Sequence, residues 1–155
     1  MNKSYKTMLG VTLLEIMLVL AIAALIIVMS IRFYSTAATT NKVNAALTTI
    51  QSIVAAGENY LTAGGSVTSI AAGIVPYLPG GATVNGPWGG PVTISNGATG
   101  TSTYTISMAV PGDTASSSIP VPGNTCSYLY SALIKNPIFV PSCSSGSITV
   151  TVKTS

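Results

Sequence analysis

A single carboxylate, Glu15, stands inside an apolar run from Val11 to Ile31 that is otherwise interrupted only by Thr12 and Ser30. Left at the centre of a membrane, such a group costs on the order of 3 kcal/mol. The chemistry open to it is ion pairing, because an apolar setting penalises a charge that has no partner. Catalysis has little to work with. The chain has no histidine, and its only acids are Glu15, Glu58 and Asp113. General acid–base and nucleophilic mechanisms draw on His or on paired carboxylates. We therefore expect no enzyme activity, no cofactor and no metal site. The two cysteines, Cys126 and Cys143, are too far apart for a Cys-x-x-Cys redox motif and too few for zinc. They form a disulfide if this part of the chain is exported, or else remain as two buried thiols. A bridge would close a loop of about 18 residues, worth roughly 3 kcal/mol.

The element that carries Glu15 is a helix. At about 1.5 Å per residue, Val11 to Ile31 is long enough to cross a hydrocarbon core. Lys3 and Lys6 precede it and Arg32 closes it, with Arg32 placed to snorkel to the outer boundary. Neither Pro nor Gly interrupts Val11 to Ala56. Beyond Arg32, Val43, Leu47, Ile50 and Val54 recur at steps of four, three and four, one apolar stripe of an amphipathic helix. Gly57 weakens that pattern by about 1 kcal/mol without ending it. Gly64-Gly65 is the better stop. The expected helix runs from about Thr12 to about Ala63, apolar all round in 11–33 and one-sided in 34–63.

Residues 64–155 read as a small β-rich domain. Ser66 is placed to cap a short helix over Val67–Ala72, ended by Gly73 and Pro76. The stretch from Asn85 to Pro91 holds too many Gly and Pro for either regular pattern, and Trp88 within it reads as a packing anchor. Val92–Ser95 and Thr103–Val110 read as strands, and Ser147–Lys153 alternates with Ile148, Val150 and Val152 on one side. Asp113–Gly123 is a Ser- and Pro-rich loop. Asn124 is a plausible cap for a helix with Cys126, Leu129, Tyr130 and Leu133 on one face, stopped by Pro137. About three strands with one apolar face need a cover, and the stripe of the long helix supplies it. The expected fold class is α+β. Charged residues make up 6% of the chain, against a usual share of roughly 25%. The six basic residues are scattered, so no nucleic-acid site is expected.

Gly10-Val11-Thr12-Leu13-Leu14-Glu15 and the apolar helix after it resemble the N-terminus of a type IV prepilin. The stretch Ile70 to Pro76, followed by Asn85, Trp88-Gly89-Gly90 and Val92, is similar to a pattern in type IVb-like and conjugation-associated thin pilins. The pair Cys126 and Cys143 resembles the disulfide that frames the variable D-region of pilins. The resemblance implies the pilin fold, with residues 1–10 as leader, and cleavage by a prepilin peptidase between Gly10 and Val11. The same enzyme would N-methylate Val11. Glu15 would then pair with the terminal amine of a neighbouring subunit during assembly into a helical filament, a homo-oligomer. The implied partners are that peptidase, an assembly ATPase and an inner-membrane platform protein. The implied locations are the inner membrane with a cytoplasmic N-terminus and, after assembly, the extracellular pilus. Adhesion, motility, DNA uptake and conjugation are the tasks of such filaments. Val11 leans toward the type IVb subclass, whereas the short leader points the other way. A minor pilin or a type II secretion pseudopilin is the alternative, although the calcium site of the major pseudopilin lacks its carboxylates here. An exported adhesin with an ordinary signal anchor is a third reading, with Ser35-Thr36-Ala37 as its cleavage site.

Overall fold

The computed structural model describes residues 6–81, 83–110, 125–144 and 146–154. Asp113–Gly123 and Asn124 lie outside the described residues. The chain divides into two compact units, Met1–Thr40 and Asn41–Ser155, with the division falling inside helix α1, Lys6–Thr62. The helical backbone begins before the expected Thr12 and passes through Gly10. A glycine costs a helix about 1 kcal/mol but removes no hydrogen bond, so it does not act as a stop. Gly64 does end the helix: at φ 92° it takes the left-handed conformation. The Gly65 N–H then donates to Tyr60 O and the Gly64 N–H to Leu61 O, both at 3.0 Å. That is the Schellman pair of bonds, which satisfies carbonyls the helix end leaves free.

The second unit begins with the C-terminal part of α1. Its buried stripe is Val43, Ala46, Ile50, Ile53, Val54 and Ala56, while Leu47 is only half-buried. The step of three from Val43 to Ala46 keeps the face aligned where the expected step to Leu47 rotates away from it. The short helix expected after Ser66 is broken in three. A 3₁₀ turn at Val67–Ser69 leads into α2, Ile70–Gly73, and a second 3₁₀ turn at Val75–Tyr77 follows. Ser66 caps the first piece, accepting from the Thr68 N–H at 3.3 Å. Pro76 lies inside the last turn instead of stopping a helix, as its fixed φ suits a first helical turn.

The sheet has the order β1-β2-β4-β3 and is antiparallel throughout. Its strands are β1, Val92–Ser95; β2, Thr103–Ala109; β3, Phe139–Ser144; and β4, Ser147–Lys153. The expected strands are present, and β3 is an addition to them. Pro141 at its centre argues against a strand from sequence alone. The register explains why it is tolerated. Lys153 N–H donates to Ile138 O at 2.9 Å, so alternation turns the backbones of Val140 and Ser142 toward β4 and that of Pro141 toward the open edge. A missing N–H costs the ladder nothing there.

Tyr104, Ile106 and Met108 of β2, Ile148, Val150 and Val152 of β4, and Phe139 and Cys143 of β3 form one buried cluster with the α1 stripe and with Ile70, Ile74 and Leu78. Helix α3, Thr125–Leu133, adds Cys126, Leu129 and Leu133. It ends before Pro137, and Asn136 N–H closes the turn onto Leu133 O at 3.0 Å. Trp88 packs half-buried against this core. The loop around it is tied by an Asn85–Pro91 bridge and by Gly86 N–H donating to Gly90 O at 2.8 Å. A long N-terminal helix packed on a small antiparallel sheet is the α+β arrangement expected.

Candidate functional site

The described part of the first unit is helical, and from Leu13 on its large apolar side chains are exposed. Between Leu13 and Tyr34 the exposure runs from 50% at Ile22 to 82% at Phe33. Burying one such side chain fully is worth about 1.5–3 kcal/mol, so the belt as a whole stakes tens of kcal/mol on finding an apolar environment. By length and composition the helix can span a membrane. Ser30, the other polar side chain in the described part of the run, is satisfied within the helix: its hydroxyl donates to Ile26 O at 2.8 Å. Such back-bonding is how a hydroxyl survives in lipid.

Glu15 has no such internal remedy. A carboxylate has no proton to give a carbonyl, and the helical N–H groups around it are already used. It is exposed, and the residues three, four and seven positions on are Leu18, Val19 and Ile22, all exposed and apolar. No cation stands at a helical contact position, since the residues three and four before Glu15 are Thr12 and Val11. The helix therefore presents one acceptor for a cation in the middle of an apolar surface. Gly10 and Val11 lie on the same helical backbone, within two turns of Glu15.

The other expected site residues are in the second unit. Cys126 of α3 and Cys143 of β3 form a disulfide with a Cα–Cα separation of 6.3 Å. Both cysteines are buried, so the bridge is a core staple between helix and sheet. No residue of the described part forms a group of three or more His, Cys, Asp or Glu able to hold a metal ion.

Sequence reasoning missed two packing devices and one surface. Tyr104 is 1% exposed, and its hydroxyl meets no hydrogen-bond partner among the described residues. Burial, with the Glu58 charge adding to it, pushes its pKa up to about 12. Gly57 makes room for it: a Cβ there would lie 2.7 Å from Tyr104 Oη. Tyr60 is clasped in a similar way. A Cβ on Gly65 or Gly73 would run into its ring, its hydroxyl bonds Ser69 Oγ at 2.9 Å, and Tyr77 packs at a ring separation of 6.4 Å. The surface is the outward face of the sheet, made almost wholly of Ser and Thr; the alternation of Thr103 to Ser107 and of Ser147 to Thr151 was its signal.

Comparison with known protein families, with curated proteins and with solved structures finds no match for this chain.

Proposed function

We propose that this chain is the structural subunit of a type IV pilus. In this reading the chain first sits in the inner membrane, with Lys3 and Lys6 on the cytoplasmic side as the positive-inside tendency favours. Prepilin peptidase cuts between Gly10 and Val11 and methylates the new amine of Val11. An ATPase and a platform protein of the inner membrane then drive stacking of subunits, and the apolar helices become the filament core.

The observation that supports this most is Glu15 in an exposed apolar belt, with no partner among the described residues. Cleavage would remove Lys3 and Lys6 with the leader and create a new cation, the Val11 amine, on a neighbouring copy. Each charge relieves the desolvation of the other, and losing one leaves the other bare, at a cost of about 3–5 kcal/mol. The pair would thereby set register: apolar side chains pack at many heights, but a charge pair is made at one. A head-to-tail contact of this kind builds an open filament where its rotation does not close into a ring.

Glu15→Ala tests the reading. The variant should insert in the membrane and be processed at wild-type levels, yet yield few or no sheared filaments. Normal filaments from it would remove the role given to Glu15.

A further inference from the structure

Two dipeptides in this chain join Asn to Gly: Asn85-Gly86 and Asn96-Gly97. Such a pair is chemically labile. The backbone nitrogen of the glycine, unhindered by a side chain, can attack the asparagine Cγ. A C–N bond forms, the attacking nitrogen gives up its proton, and the carboxamide nitrogen leaves as ammonia. Water then opens the resulting succinimide at either carbonyl, giving aspartate or, with one methylene added to the main chain, isoaspartate. At 96–97 the fold demands both residues. Asn96 is exposed and opens the turn of residues 96–102 between β1 and β2. Its Oδ1 accepts from the Ala71 N–H at 2.8 Å, a donor in the first turn of α2 that no carbonyl of that helix can serve. Gly97 fills a notch, because a Cβ there would run into Thr103 O and Val67 Cγ1. A reactive dipeptide is thereby built into an exposed turn.

The same contacts hold it unreacted. The Gly97 N–H donates to Val67 O at 3.0 Å, so the attacking nitrogen has its proton committed elsewhere. The carboxamide it would attack is tied to Ala71. Ring closure requires the two groups to turn to each other and give up both bonds. We propose that Asn96-Gly97 is a latent self-modification site, held by docking of the 96–102 turn on residues 67–71 and released when that turn opens. Turns open at lower cost than the sheet beneath them. The isoaspartyl outcome is one-way. An aspartate at 96 still offers an oxygen to the Ala71 N–H, but isoaspartate lengthens the main chain just ahead of Gly97. The notch between Thr103 O and Val67 Cγ1 has no room for that shift. The isoaspartyl turn stays undocked, so the modification records that the turn has opened. None of this rests on the filament reading, since every bond involved lies within one chain.

The test ages the full-length protein in detergent micelles in mildly alkaline buffer, beside the same protein reduced and unfolded in urea. Peptide mass mapping reads the conversion of amide to acid at Asn96 and at Asn85. Folded chains should convert Asn96 at least about thirtyfold more slowly than unfolded ones, the effect of two net hydrogen bonds. Ala71→Pro removes the donor that Asn96 uses, in a first helical turn where proline is accepted. It should raise conversion at Asn96 about fivefold, the effect of one such bond, and leave Asn85 unchanged, with Trp88 fluorescence checking the fold. Should that variant not fold, hydrogen exchange of the wild type gives the same test without a substitution. Across low urea concentrations, conversion at Asn96 should rise in step with exchange of the Gly97 N–H. Chains isolated with isoaspartate at 96 should exchange that N–H fast. Equal rates in folded and unfolded chains, unchanged or slower conversion in folded Ala71→Pro, an equal rise at Asn85, conversion that ignores Gly97 exchange, or a protected Gly97 N–H in the isoaspartyl chain would each overturn the proposal.

Discussion

Replacing Gly57 by Ala removes a notch and should couple to Tyr104 in a way that a double-mutant cycle can measure. By propensity alone, Ala at a helix-interior glycine gains about 1 kcal/mol. Here the new Cβ would lie 2.7 Å from Tyr104 Oη and 3.3 Å from Cζ, and 3.5 Å from Ile70 Cδ1. The ring is rigid, 1% exposed and held in a central strand, so it has little room to yield. Overpacking of this kind costs about 1–3 kcal/mol, which leaves Gly57→Ala near neutral to about 2 kcal/mol destabilised. Tyr104→Phe acts differently. It deletes a buried hydroxyl that has no partner, a group whose desolvation costs about 1–3 kcal/mol, so this variant should be as stable as the wild type or more stable. In Tyr104→Phe the closest remaining atom is Cζ at 3.3 Å, a contact small shifts can absorb. Gly57→Ala/Tyr104→Phe should then exceed the stability predicted by adding the single variants, by about 1–3 kcal/mol. The assay is urea unfolding of the full chain in detergent micelles, followed by fluorescence of Trp88, the sole tryptophan. Alkali gives a second readout. The folded pKa of about 12 stands above the ordinary tyrosine value of 10.0. The unfolded state loses this proton first, so the folded state binds more protons between pH 10 and 12 and stability falls as pH rises through that window. Tyr104→Phe should flatten that fall. Additive single variants, or a Tyr104→Phe variant destabilised by more than about 1 kcal/mol, would show that the hydroxyl is partnered and the packing argument wrong.

Two further perturbations probe the same unit. Gly73→Ala should expel the Tyr60 ring, break its bond to Ser69 and destabilise the domain by about 1–3 kcal/mol, with the loss largely absent in a Tyr60→Ala background; equal losses in both backgrounds would refute the clasp. Replacing Cys126 and Cys143 together by Ala should cost roughly 3 kcal/mol by urea unfolding, and reducing agent should attack the native bridge slowly, because both sulfurs are buried; unchanged stability would mean the bridge constrains nothing the core does not.

Much of the fold was legible because local rules and tertiary needs agree along most of the chain. Alternation placed β4 at Ser147–Lys153, and Gly64 marked the end of α1. What stayed hidden depended on neighbours remote in sequence. Pro141 is tolerated in a strand only because β3 lies at the open edge of the sheet, which no local signal gives. Ala46 lacked the bulk that marks a core residue, although it is completely buried. Gly57 read only as a helix weakness, because nothing near it announces that a tyrosine some fifty residues later needs the space. Glu15 was legible by contrast, since one carboxylate among aliphatic side chains is a local anomaly. Its exposure adds that the helix does not satisfy it internally.

The claim that Glu15 awaits a cation made by cleavage rests on where the mature chain begins. Intact mass and N-terminal sequencing of sheared surface material measure this directly. The dominant polypeptide of the filaments should start at N-methylated Val11, lack residues 1–10 and retain the Cys126–Cys143 bridge. A mature chain that starts near Ala37, or one that keeps its leader within filaments, would contradict it.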